Sequence, residues 1–201
     1  MPNRGTSSHI KEISISNYSK VIYELITHLR LNQITLIGHS MGGAIALQLA
    51  LKNSNNLIKN IILIGTGAKL KVSPLFFEFI ESDFNKTLAL MNEYNYNKST
   101  PNGIKKKNEE ILRRSGSPVL LQDFKACNSF DIRNEISTIS LPTLIICGEK
   151  DMMTPCKYST FMNEKISNSE LSIVSNSGHY VFLECPEEVN EVIKGFLIKH
   201  R

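Results

Sequence analysis

With 201 residues, 41% of them hydrophobic and 21% charged, the chain is long enough for one domain with a real core and too apolar for general disorder. The net charge of +4 is mild, and its densest basic run, Lys105, Lys106 and Lys107, is followed at once by Asn108, Glu109 and Glu110, so it reads as a solvated helix face and argues against a nucleic-acid partner. The first eight residues carry no apolar signal core and no run approaches the roughly 20 apolar residues that span a bilayer, so no membrane partner and a cytoplasmic location are expected.

Four cysteines (Cys127, Cys147, Cys156 and Cys185) are present, none at the short spacings of a zinc or redox site. They suit a reducing compartment, and Cys147 reads as a small core residue.

Over residues 16–30 the apolar positions Tyr18, Val21, Ile22, Leu25, Ile26 and Leu29 mark one helix face, with Ser16 as N-cap. Residues 33–37 read as a short buried strand running into Gly38-His39-Ser40-Met41-Gly42-Gly43. A helix over 42–52 follows, then a strand over 58–64 ending at Gly65-Thr66-Gly67. Continuous apolar strands alternating with helices predict a parallel sheet covered by helices. The middle of the chain, about 68–125, is helical and more polar, with a turn at Ser99-Thr100-Pro101-Asn102-Gly103. Beyond it come strands over 143–147 and 171–174. Thr154-Pro155 reads as a helix N-cap with proline in the first turn, and a last helix opens at Cys185-Pro186 with acids at its start and bases at its end.

Gly38-His39-Ser40-Met41-Gly42 fits G-x-S-x-G between a strand and a helix. Such a turn strains the serine backbone and needs small residues two before and two after it, so that neighbouring backbone can pass. The helix behind favours developing negative charge, and the Met41 N–H would point at an oxyanion. His39, adjacent in the turn, points elsewhere.

A serine nucleophile needs a base, and the base an orienting carboxylate. Of the aspartates Asp83, Asp123, Asp131 and Asp151, only Asp151 directly follows a strand; Asp131 is expected to cap or pair locally. Of five histidines, His179 follows the last strand. Loops at the carboxyl ends of parallel strands gather on one edge, which brings Ser40, Asp151 and His179 to the same rim. Tyr180 and Phe182 read as lining or core.

Three stretches carry a resemblance to a known family. They are Leu36-Ile37-Gly38-His39-Ser40-Met41-Gly42-Gly43, then residues 141–151 with Thr154-Pro155, then Ser177-Gly178-His179 with Glu184-Cys185-Pro186-Glu187. Together they resemble the α/β-hydrolase superfamily, in particular small lid-bearing bacterial carboxylesterases and lactonases. The resemblance implies an α/β-hydrolase fold: a mostly parallel sheet with about four strands retained, helices on both faces, and a helical lid at 70–125 inserted between core segments 1–69 and 126–201. It also implies Ser40 as nucleophile, His179 as base, Asp151 as its partner, the Met41 N–H as oxyanion donor, and His39 and Tyr180 in the substrate-binding surroundings. The substrate would be a small ester or lactone, with no cofactor and no metal. Residues 2–7 look like the segment that follows the family's fourth strand, so the earlier strands and the His-Gly loop with the second oxyanion donor are expected to be missing. That loss predicts impaired activity or a ligand-binding remnant, and the exposed sheet edge at 33–37 predicts self-association.

Overall fold

The apolar runs become one parallel sheet. In the computed structural model, which describes all residues except Met1, Asn3, Arg4, His9 and Ser54, the strands are β1 (Ile34–His39), β2 (Ile58–Ile64), β3 (Thr143–Gly148) and β4 (Ser169–Val174), side by side in that order. The reading of residues 2–7 thus falls partly outside the described residues. In chain order, α1 (Ile15–His28) precedes β1 and α2 (Met41–Leu51) joins β1 to β2. The long β2–β3 connection holds α3 (Pro74–Ser82), α4 (Phe84–Asn95), α5 (Asn102–Ser115), α6 (Ser117–Asn128) and a 3-10 turn at Ile136–Thr138. Then α7 (Cys156–Lys165) joins β3 to β4, and α8 (Val181–Glu184) and α9 (Pro186–Lys199) follow.

Register explains the two cores. Leu63 pairs with Ile145 and Ile145 with Leu171 across β2, β3 and β4. Successive strand residues face opposite sides. Ile61, Leu63 and Ile145 therefore pack with α1, α2 and α7, while Ile62, Ile64, Leu144 and Ile146 pack with Val181, Val189 and Phe196 of α8 and α9. The inner strands β2 and β3 are buried almost throughout. On edge strand β1, Ile37 is 56% exposed, because α9 packs on β3 and β4.

The connection α3–α6 has its own small core of Phe76, Ile80, Met91 and Leu120, which lets a polar stretch fold as packed helices. It is tied to α1 by the buried Tyr18 hydroxyl, which donates to Asp123 Oδ1 at 2.7 Å.

Several local expectations are corrected. The cap of α1 is Ser14, whose Oγ accepts the Asn17 N–H at 3.1 Å, and not Ser16. Its buried stripe is Ile15, Tyr18 and Ile26, whereas Leu25 and Leu29 are 50% and 55% exposed: the helix is rolled toward α2, so the stripe follows i, i+3 and i+11. Asn102 and Gly103 begin α5 and do not belong to a turn. Thr154 does not cap α7; the flanking residue is Pro155 and the threonine side chain is engaged elsewhere. Asp131 pairs as expected, with Arg133 at 2.7 Å and Lys69 at 2.9 Å.

Candidate active site

Ser40 is the single residue between β1 and α2, at φ 52° and ψ −117°. A non-glycine residue on the positive side of φ is strained and persists only where its surroundings over-determine it. Here they do. The Ser40 N–H donates to the Ile64 carbonyl at 3.0 Å, and the Ser40 carbonyl accepts the Thr66 hydroxyl at 2.8 Å and the Gly43 N–H at 2.9 Å. A Cβ on Gly38 would lie 2.3 Å from the Gly42 carbonyl oxygen, so only glycine fits there. The matching requirement expected at Gly42 is absent: a Cβ there meets nothing within 4 Å, and the second tight spot is Gly43, 2.5 Å from Thr66 Cγ2. Met41 opens α2, so its N–H has no acceptor within the helix and sits at the end of the dipole that attracts negative charge.

Asp151 and His179 stand at the carboxyl ends of β3 and β4. His179 Nδ1 donates to Asp151 Oδ2 at 2.8 Å, and both side chains are buried. The carboxylate is also satisfied by Thr154, whose hydroxyl donates to Oδ2 at 2.8 Å and whose N–H donates to Oδ1 at 2.7 Å, and by the Met153 N–H at 2.9 Å. Burial alone would raise the Asp151 pKa; the His179 and Thr154 donors outweigh it and hold the carboxyl below its ordinary range. The histidine loop packs on the end of α4: the Asn95 carbonyl accepts the N–H of His179 at 2.9 Å and of Tyr180 at 3.2 Å. Glu184 closes the junction, its Oε1 accepting the Asn97 N–H at 2.8 Å and the Thr100 hydroxyl, its Oε2 accepting the Gly178 N–H. A Cβ on Gly178 would press to 2.9 Å from the Asn95 carbonyl, so this approach requires glycine.

His39 turns its ring toward this region. Its Nε2 donates to the His179 carbonyl at 3.0 Å, and its ring centroid lies 4.6 Å from that of His179 and 5.0 Å from those of Tyr180 and Phe182. Burial, with the neighbouring His179, pushes its pKa down to about 3, so it is a neutral donor. Tyr180 stacks on Tyr96 at 5.2 Å.

Ser40 sits where two solvent-open cavities meet. One is walled by Leu70, Val72, Phe76, Phe124 and Met153. The other is lined by Ser40, Met41, Ile45, Leu120, His179 and Tyr180, with His39 and Asn95. Ser40, His179 and the Met41 backbone are thus brought to one space, with Asp151 behind the imidazole; the Ser40 hydroxyl itself makes no hydrogen bond among the described residues. Thr154, Glu184 and Asn95 escaped the sequence reading. Also unforeseen, Cys147 and Cys156 bring their sulfurs to 3.5 Å. No cluster of three side chains able to hold a metal ion occurs among the described residues, and no helix there is long and apolar enough to cross a membrane.

The chain belongs to the α/β hydrolase fold family, whose model matches residues 1–186. It is 30% identical over 203 residues to an uncharacterized hydrolase, YugF, of Bacillus subtilis (strain 168), covering 90% of this chain and 71% of that protein. Among solved structures it resembles a thermophilic esterase at 34% identity and a TM-score of 0.87, covering 98% of this chain and 78% of the other. It also resembles an esterase from Exiguobacterium antarcticum at 25% identity and a TM-score of 0.91, covering 97% and 78%.

Proposed function

We propose that this protein is a serine hydrolase cleaving small-molecule esters or lactones through an acyl-serine intermediate. The observation that carries the reading is the buried Asp151–His179 pair whose imidazole lines one cavity with Ser40 in its strained turn. With Nδ1–H given to Asp151, the imidazole keeps Nε2 as a proton acceptor. His179 takes the Ser40 proton as the hydroxyl oxygen bonds to the substrate carbonyl. The Met41 N–H supports the oxyanion, and collapse breaks the bond to the leaving alcohol, which receives the proton from Nε2. Water then gives a proton to His179 and attacks the acyl carbonyl; collapse breaks the bond to Ser40, whose oxygen takes that proton back from Nε2 as the acid leaves. Asp151 holds the tautomer and stabilises the imidazolium without taking the proton. His39 and Tyr180 contribute cavity wall, and residues 70–125 act as a lid over core segments 1–69 and 126–201. The names of the two esterases, like this chain in fold, support an ester substrate.

The test is covalent labelling by a fluorophosphonate probe. Wild type is expected to label and Ser40→Ala to lose the label while keeping its melting temperature within a few degrees; equal labelling of a folded Ser40→Ala protein overturns the assignment.

A further inference from the structure

Cys147 near the end of β3 and Cys156 at the start of α7 flank the loop that carries Asp151. Their sulfurs are 3.5 Å apart: the Cys147 thiol donates to Cys156 Sγ, and the Cys156 thiol donates to the Gly148 carbonyl at 3.2 Å. The hydrolysis proposed above uses neither thiol.

Two thiols in contact need only a two-electron oxidant to become a disulfide, whose sulfurs stand about 2 Å apart. The approach still to be made is therefore about 1.5 Å. The two sulfurs differ in access. Cys147 is fully buried on an inner strand, in register with Ile173 of β4, whereas Cys156 is partly exposed. An oxidant from solvent meets Cys156 first. Because the sheet fixes Cys147, the approach falls on the first turn of α7. Thr154 lies just before that turn, and its hydroxyl and N–H hold the Asp151 carboxylate. A pull on Cys156 thus reaches the group that orients the imidazole.

We propose that Cys147 and Cys156 are a redox modification site: a small-molecule disulfide closes them to an internal disulfide, which draws the start of α7 toward β3, loosens the hold of Thr154 on Asp151 and slows turnover. In the first step the Cys156 sulfur bonds to one sulfur of the oxidant, and the other leaves as a thiol. Cys147 then attacks the Cys156 sulfur and expels the second thiol. The protein gives up two electrons and two protons, and the oxidant takes them up as its two thiols. Burial pushes the Cys147 thiol up to about 12, so the second step sets the rate and quickens as pH rises. The chemistry of the pair stands apart from the hydrolase reading; only the effect on turnover rests on it.

The experiment treats the protein with oxidised glutathione, removes the reagent and digests with trypsin without reduction. Trypsin cuts after Arg133, Lys150 and Lys157, so the two cysteines fall in separate peptides, 134–150 and 151–157. Mass spectrometry should find these peptides linked in wild type. The oxidised protein should hydrolyse a simple ester with kcat about tenfold lower, restored by dithiothreitol. Cys156→Ser should form no link and keep its kcat through the same treatment. Cys147→Ala should hold glutathione on Cys156 without closing, and serves if the serine variant does not fold. Glutathione on Cys156 of wild type with no link, or no reaction at either cysteine, overturns the site. A fully linked protein with undiminished kcat overturns the effect on turnover. A reduced wild type that neither hydrolyses esters nor labels with fluorophosphonate overturns the hydrolase reading instead, and the peptide link still decides the site.

Discussion

The carbonyl oxygen of Asn95 accepts the backbone N–H of His179 at 2.9 Å, so the C-terminus of α4 and the loop that carries the imidazole are joined directly. Glu184 reinforces the joint from both sides, receiving Asn97 and Thr100 from the α4–α5 connection and Gly178 from the histidine loop. Removing that carboxylate leaves three donors without their acceptor, at about 1–3 kcal/mol for each that water does not reach.

Glu184→Ala is therefore expected to lower kcat at least tenfold with a smaller change in KM, because a group that places the imidazole acts on the chemical step more than on substrate capture. Glu184→Gln, which keeps one acceptor oxygen, should recover part of the loss. Steady-state kinetics on a simple ester reads this directly, and a Glu184→Ala enzyme with kcat within twofold of wild type would remove Glu184 from the positioning role.

The pH dependence follows from the charge states around the imidazole. Asp151 is held below the ordinary carboxylate range by its donors. The stability it contributes is present at neutral pH and is lost only as pH falls through that lowered value. His39, driven down to about 3, is neutral from pH 5 to 8. Neither group changes charge in that window, while the base must be a neutral imidazole to accept the Ser40 proton. Activity should therefore fall toward acid along a single limb, and His39→Gln should leave the midpoint of that limb in place. A midpoint displaced by a full pH unit in His39→Gln would overturn the expectation that His39 has no part in setting that limb.

How much of this was legible in the sequence depended on how local the cause is. Ser40, Asp151 and His179 each stand just past the carboxyl end of a strand, and strand ends are written in short apolar runs. Asn95 and Glu184 act through where a distant helix happens to stop, which no local pattern records. Thr154 carried the letters of a cap, but tertiary context recruited its hydroxyl for the carboxylate of Asp151. Leu25 and Leu29 fit the helical period equally well and lie outside, because period alone does not fix how a helix is rolled on its neighbour.

Tyr18→Phe probes the link between α1 and α6. The Tyr18 hydroxyl is fully buried and donates to Asp123, itself buried. Deleting one oxygen keeps the ring packing and takes a donor from the carboxylate, at a cost of about 1–3 kcal/mol. For a domain of this size that lowers the melting temperature by roughly 2–12 °C. Calorimetry on the pair of proteins measures it, and an unchanged melting temperature would mean that the hydrogen bond is replaced by water without loss.

The edge of the sheet yields the last prediction. Among the described residues β1 pairs with β2 on one side only, and Ile37 presents an apolar side chain on its uncovered face, close to exposed Leu29 and Leu31 in the sequence. An open apolar edge strand is a template for pairing with another strand. The chain is expected to self-associate through β1, two copies adding their edges to one sheet. Ile37→Lys places a charge on the edge strand, which disfavours adding a second strand there, while the exposed position tolerates it in the monomer. Light scattering over a tenfold concentration range should show wild type growing beyond the monomer mass and Ile37→Lys remaining near it. Identical masses for the two proteins at every concentration would rule this edge out as the contact.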